Sequence, residues 1–151
     1  MGGTGNEKIA MALRFDLLPF DQLHLGKCVL KNSHERALFI VEGEMPILRA
    51  KDFLQPALAA SSLEKLYCCI QQMYLEEAHE ELQGSYLALA ARSLTEDPTL
   101  YAELQSVDQL IASRQYYKAL KGLKKLTRAE AFTVDGSPGE RYVPRYGGWK
   151  K

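Results

Sequence analysis

Charge of one sign is what this sequence most plainly lacks. Its 151 residues carry 19 Lys and Arg against 19 Asp and Glu, so net charge singles out neither nucleic acid nor an acidic surface as a partner. Cysteine is scarce: Cys28, Cys68 and Cys69 are the three. An odd count without C-x-x-C spacing fits neither a disulfide framework nor a zinc site. Cys68 and Cys69 are neighbours on an expected helix, where they point about 100° apart and cannot face one metal. All three read as small buried hydrophobes in a reducing cytoplasm. No apolar run approaches the roughly 20 residues that span a bilayer. The opening MGGTGNEKIA lacks the basic start and apolar core of a signal peptide, and residues 1–10 read as a mobile extension. Its GGTG has neither the strand-to-helix context nor the Lys-Ser/Thr ending of a phosphate loop. His24, His34 and His79 fall in three different elements, with no metal-ligand spacing among them. No repeat or low-complexity tract is present. These absences leave no catalytic constellation, metal or cofactor to expect.

What is there is an ordinary globular composition, 46% hydrophobic and 25% charged, long enough to bury a core as one domain. The charges are unevenly placed. Residues 1–50 are balanced, residues 51–97 carry three basic and eight acidic groups, and residues 98–151 carry ten and five. Such an electrical axis favours an oriented partner or a self-complementary homo-oligomer.

The hydrophobic period changes along the chain. From 11 to 50 apolar residues alternate, which predicts a small antiparallel β unit: strands at 13–17, 23–30 with Gly26 marking a bulge or turn, a well-buried 37–41, and a short fourth at 45–48. So small a sheet needs cover from helices or another subunit. Pro56 forbids a helix through the following segment, which reads as an ordered hinge. From 61 to 131 the period is helical. Ser61-Ser62-Leu63-Glu64 is a capping box. Leu63, Leu66, Tyr67, Ile70, Met73 and Tyr74 form the apolar stripe of the first helix. A break is expected between His79 and Gly84, with a second helix resuming at Tyr86. Asp97 with Pro98 starts a third, and a last runs from about Gln115 to Ala131. Residues 132–151, rich in Gly and Pro, read as a flexible tail in which Tyr142, Tyr146 and Trp149 could anchor a partner. The fold class is therefore α+β, a β unit followed by a bundle of three to four helices.

Two basic sets are candidates for nucleic-acid contact. Arg114, Lys118, Lys121, Lys125 and Arg128, spaced 4, 3, 4 and 3, fall on one side of the last helix. Such a stripe can follow RNA phosphates while Tyr116 and Tyr117 stack on unpaired bases. It can equally be a solvated face, or a docking surface for the chain's own acidic region. Lys31, Arg36, Arg49 and Lys51 surround the expected sheet. Glu76, Glu77, Glu80 and Glu81 read as a solvated acidic face rather than paired catalytic carboxylates.

The words Arg49-Ala50-Lys51-Asp52-Phe53-Leu54-Gln55-Pro56, then Leu66-Tyr67, then Met73-Tyr74-Leu75-Glu76-Glu77, and finally Tyr116-Tyr117-Lys118-Ala119-Leu120 resemble the FlbT family of bacterial flagellin regulators, over about Met11 to Leu126. The resemblance implies a cytoplasmic, non-enzymatic repressor of flagellum biogenesis. It would associate with the 5′ untranslated leader of flagellin messenger RNA and control its translation and stability, alongside a small helical partner, FlaF. The alternative is a protein-binding adaptor for flagellin or FlaF that affects the messenger indirectly.

Overall fold

The computed structural model describes residues 12–127 and Phe132. These fall into two compact units that divide after Ala50, where the hydrophobic period changes. The class is α+β, as the periodicity predicts.

The β unit has five short strands: β1 (Ala12–Leu17), β2 (Gln22–Leu25), β3 (Cys28–Lys31), β4 (Ala37–Glu42) and β5 (Ile47–Arg49). They form two antiparallel sheets, β1-β4 and β3-β2-β5, one strand more than the alternation suggests. The run 23–30 is not one strand. Gly26, at φ 59°, opens a two-residue turn that pairs Leu25 with Cys28, and a positive φ is strain-free only without a Cβ. Phe15, Leu17 and Leu23 centre the core, with Leu25, Leu30, Phe39, Val41 and Ile47 packed on them.

β4 departs from expectation. A dense apolar run suggests burial on both sides, but Leu38 and Ile40 are 58% and 57% exposed, because only Phe39 and Val41 point to the core and alternate residues face away. Cys28 is also exposed rather than buried.

One polar residue closes this unit. Asn32 is buried, and its amide donates to the carbonyls of Leu17, Leu18 and Glu35 at 3.1, 3.0 and 2.7 Å. Its Oδ1 accepts from the Ser33 N–H at 2.9 Å. Asn32→Ala leaves these groups unpaired, so a loss of about 2 kcal/mol is expected in urea denaturation.

The helical unit opens with two 3-10 turns, Ala50–Asp52 and Pro56–Leu58, and Leu54 between them is fully buried. Helix α1 (Ser62–Glu76) starts at the expected capping box: Ser61 Oγ accepts from the Glu64 N–H and Glu64 returns to the Ser61 N–H. Leu66, Tyr67, Ile70 and Met73 are its fully buried stripe. The break after it lies earlier than predicted. Glu77 adopts φ 52° and α2 (His79–Glu96) runs straight through Gly84. A mid-helix glycine costs only about 1 kcal/mol. It marks no stop here.

Asp97 caps as expected, accepting from the Thr99 N–H at 3.1 Å, though the element it starts is a single 3-10 turn, Pro98–Leu100. Helix α3 (Tyr101–Ala112) follows and buries Leu104, Val107 and Ile111. Helix α4 (Tyr116–Lys124) is shorter than the predicted last helix; residues 128–131 lie outside the described set. So do the expected extension at 1–10 and the tail, except Phe132, which is buried and meets Tyr67 edge-on at 4.8 Å.

Candidate nucleic-acid interface

Helix α4 buries Ala119, Leu120 and Leu123. At 100° per residue, Lys118, Lys121 and Lys125 fall on the side away from them, and Lys124 lies on the flank. The structure uses Lys121 and Lys124 internally. Asp52 is 1% exposed, and its Oδ1 takes Lys124 Nζ at 2.9 Å and Lys121 Nζ at 3.4 Å. Lys124 also donates to the Lys51 carbonyl at 2.6 Å and lies 4.9 Å from the centre of the Phe132 ring. Burial alone would raise the Asp52 carboxyl. The Lys124 hydrogen bond and the charges of Lys124, Lys121 and Lys51 outweigh it and hold the group below its ordinary value.

The basic stripe is therefore split. Lys118 and Lys125 are exposed and make no ion pair among the described residues. Lys121 belongs to the Asp52 latch, which matches the docking alternative. Lys124, absent from the 4-3-4-3 pattern, is the latch's stronger arm; its place three residues after Lys121, on the helix flank, was the available signal. Arg114 is not on the helix. It sits at φ 59° in the turn before α4, donates to the Tyr116 hydroxyl at 3.2 Å and faces Glu80 at 3.9 Å. The same hydroxyl meets His79 Nδ1 at 2.5 Å, so Tyr116 is engaged. Tyr117 is 42% exposed, tilted against Tyr74 at 6.3 Å, with Lys121 Nζ 5.7 Å from its ring centre. Arg128 lies outside the described residues. Among the described residues the outward surface of α4 is thus Lys118 and Lys125 with Tyr117 beside them, while Arg114, Lys121 and Tyr116 have partners within the unit.

Within the β unit, Arg36 and Arg49 of the sheet-side set have different neighbours. Arg36 grips Asp16 with two hydrogen bonds, of 2.9 and 2.6 Å. The Arg49 guanidinium lies 4.7 Å over the Phe15 ring. Asp16 and Phe15 are successive residues of β1 and point to opposite faces, so Arg36 and Arg49 share no face. Lys31 is the last residue of β3, opposite Gln22. Lys51, in the helical unit, is exposed and lends only its carbonyl and its charge to the latch.

Most of the sequence words quoted above have structural work. Asp52, Met73 and Leu75 are buried, Pro56 starts the second 3-10 turn and Gln55 precedes it as its cap. Glu76, Glu77, Glu80 and Glu81 are exposed. Burial, with Lys31 nearby, lowers His24 to about 4, and burial pushes Cys68 up to about 12; His24 is thus neutral and the Cys68 thiol protonated near pH 7. No group of three potential metal ligands occurs among the described residues, and no helix among them is long and apolar enough to cross a membrane.

Gln71 escaped the sequence reading. It is buried, and its amide closes both backbone groups of Leu54: the Leu54 N–H donates to Oε1 at 2.8 Å and Nε2 donates to the Leu54 carbonyl at 2.9 Å. Its only signal was a glutamine one residue after Ile70 on the apolar side of α1.

Comparison with known proteins converges on one family. The family described as "Flagellar protein FlbT" matches residues 13–134. A probable flagellum biosynthesis repressor protein FlbT of Rhodopseudomonas palustris is 33% identical over 120 residues, covering 80% of this chain and 95% of the relative. Its counterpart in Bradyrhizobium diazoefficiens is 31% identical over 121 residues, covering 80% and 83%. The flagellum biosynthesis repressor protein FlbT of Caulobacter vibrioides is 26% identical over 125 residues, covering 80% and 87%. No solved structure matches. A match over residues 13–134 takes in nearly all of both described units, and the chain belongs to the FlbT family.

Proposed function

We propose that this protein is a cytoplasmic, non-enzymatic regulator of flagellin synthesis that binds the 5′ untranslated leader of flagellin messenger RNA. It acts by occupancy, changing the access of ribosomes or nucleases to the leader. Relatives named as flagellum biosynthesis repressors support the regulatory part. The observation that carries the RNA part is the outward side of α4, where Lys118 and Lys125 are exposed and unpaired among the described residues, beside the half-exposed Tyr117. Cations clear of internal partners can contact phosphates, and an adjacent aromatic ring can stack on an unpaired base.

The test is binding of the full chain to leader RNA across a salt series. Lys118→Gln with Lys125→Gln should weaken binding several-fold and flatten the salt slope by about 1.4, at about 0.7 per lost phosphate contact on a single strand. Lys121 is left in place, since removing it would disturb Asp52. Circular dichroism controls for folding. Unchanged affinity and slope would remove α4 from the RNA site. Overall neutrality and exposed Leu87 and Tyr101 favour the adaptor reading, in which flagellin or FlaF is bound; it predicts no binding of the purified protein to leader RNA at low salt.

A further inference from the structure

We infer that β4 pairs with β4 of a second copy about a two-fold axis at Phe39, joining two β1-β4 ribbons into one four-stranded antiparallel sheet. Among the described residues β4 is bonded to β1 alone, so its other edge is unpaired. An open strand edge with outward apolar side chains is a template for another strand.

The occupant is written in the sequence of the edge. Residues 36–42 read Arg-Ala-Leu-Phe-Ile-Val-Glu. Reversed on itself about Phe39, this run places Leu38 opposite Ile40 of the copy and Arg36 opposite its Glu42. The first pair joins the two exposed apolar side chains of the strand, 58% and 57%. The second joins opposite charges on the same face, and the two-fold repeats both pairs. Centring the axis one residue either way loses this match: at Ile40 it sets Leu38 against Glu42, and at Leu38 it sets Arg36 against Ile40. Cross-strand apolar and opposite-charge pairs are what stabilise an antiparallel register. Arg36 already holds Asp16, and its guanidinium has donors enough for a second carboxylate. Glu42 is exposed and has no ion pair among the described residues. A partner with its own strand would need no such palindrome; a second copy does.

The test uses the full chain. Sedimentation equilibrium up to about 100 micromolar should show a species of twice the 17.0 kDa monomer. Register is read by cysteine exchange in a Cys28→Ser background. Directly opposite residues lie within about 4.5–5.5 Å, inside the disulfide window, whereas equivalent residues two steps out of register lie about 8 Å apart. Leu38→Cys mixed with Ile40→Cys under a mild oxidant should therefore yield covalent dimer, and each variant alone should not. Monomer throughout the concentration range overturns the inference. So does a dimer in which the mixture fails to cross-link, or in which Leu38→Cys cross-links to itself. A monomer that instead accepts a strand from a different protein overturns it too.

Discussion

Lys124→Met is expected to cost more stability than Asp52→Ala, although the aspartate variant removes two ion pairs and the lysine variant one. Asp52 is 1% exposed, whereas the Lys121 and Lys124 side chains are 40% and 30% exposed. Without the carboxylate, both ammonium groups turn to water, and the loss is that of the pairing and of a small side chain, about 2 kcal/mol. Without Lys124, a carboxylate stays buried with Lys121 at 3.4 Å and an Oδ2 that has no partner among the described residues. That arrangement costs about 3 kcal/mol. The pH dependence separates the cases. In the native protein the Asp52 value is lowered from 3.8, so the unfolded chain binds the proton more readily. The stabilisation is full above about pH 4 and is lost as pH falls through the lower, folded value. In Lys124→Met burial dominates and raises that value, so the deficit measured by urea denaturation should shrink as pH is lowered from 7 to 5.

Gln71→Leu should cost a further class of stability, about 3 kcal/mol, or roughly a 10 °C fall in Tm. Leucine fills the same space, yet both backbone groups of the fully buried Leu54 lose their partners. Gln71→Glu discriminates this account from simple packing. A glutamate still accepts from the Leu54 N–H but cannot donate to its carbonyl until protonated. Its destabilisation at pH 7 should therefore ease on acidification, whereas that of Gln71→Leu should not. A pH-independent loss in Gln71→Glu would show that shape, not hydrogen bonding, holds Leu54.

Local chemistry was legible in the sequence. Ser61 and Glu64 satisfy each other's backbone three residues apart, and Asp97 needs only Thr99. Strand alternation and helical period survive because each element buries one side. What failed was information held at long range. Lys121 and Lys124 meet Asp52 from 69 and 72 residues away, and nothing in a basic heptad pattern says that its flank points inward. Asn32 and Gln71 look like surface residues until the carbonyls they serve are brought to them. β4 departs from expectation for another reason: a run of apolar residues looks alike whether its second face is covered or open. The α1–α2 break lies at Glu77 and not near Gly84 because a glutamate entering the left-handed region is a choice made by tertiary packing, whereas a glycine is only a local signal.

The Asp52 latch also sets a timetable for synthesis. Lys124 is translated 72 residues after Asp52, an interval of about 4–15 s at the ordinary rate of chain elongation. Through that interval the nascent helical unit holds a carboxylate that has neither lysine of α4 to enter its core with, and α1 lacks α4 as a packing partner. The β unit, whose strand pairings all lie within residues 12–49, has no such wait. The strand partners of the β unit are therefore all made before α4 emerges, whereas the Asp52 site is completed only with α4.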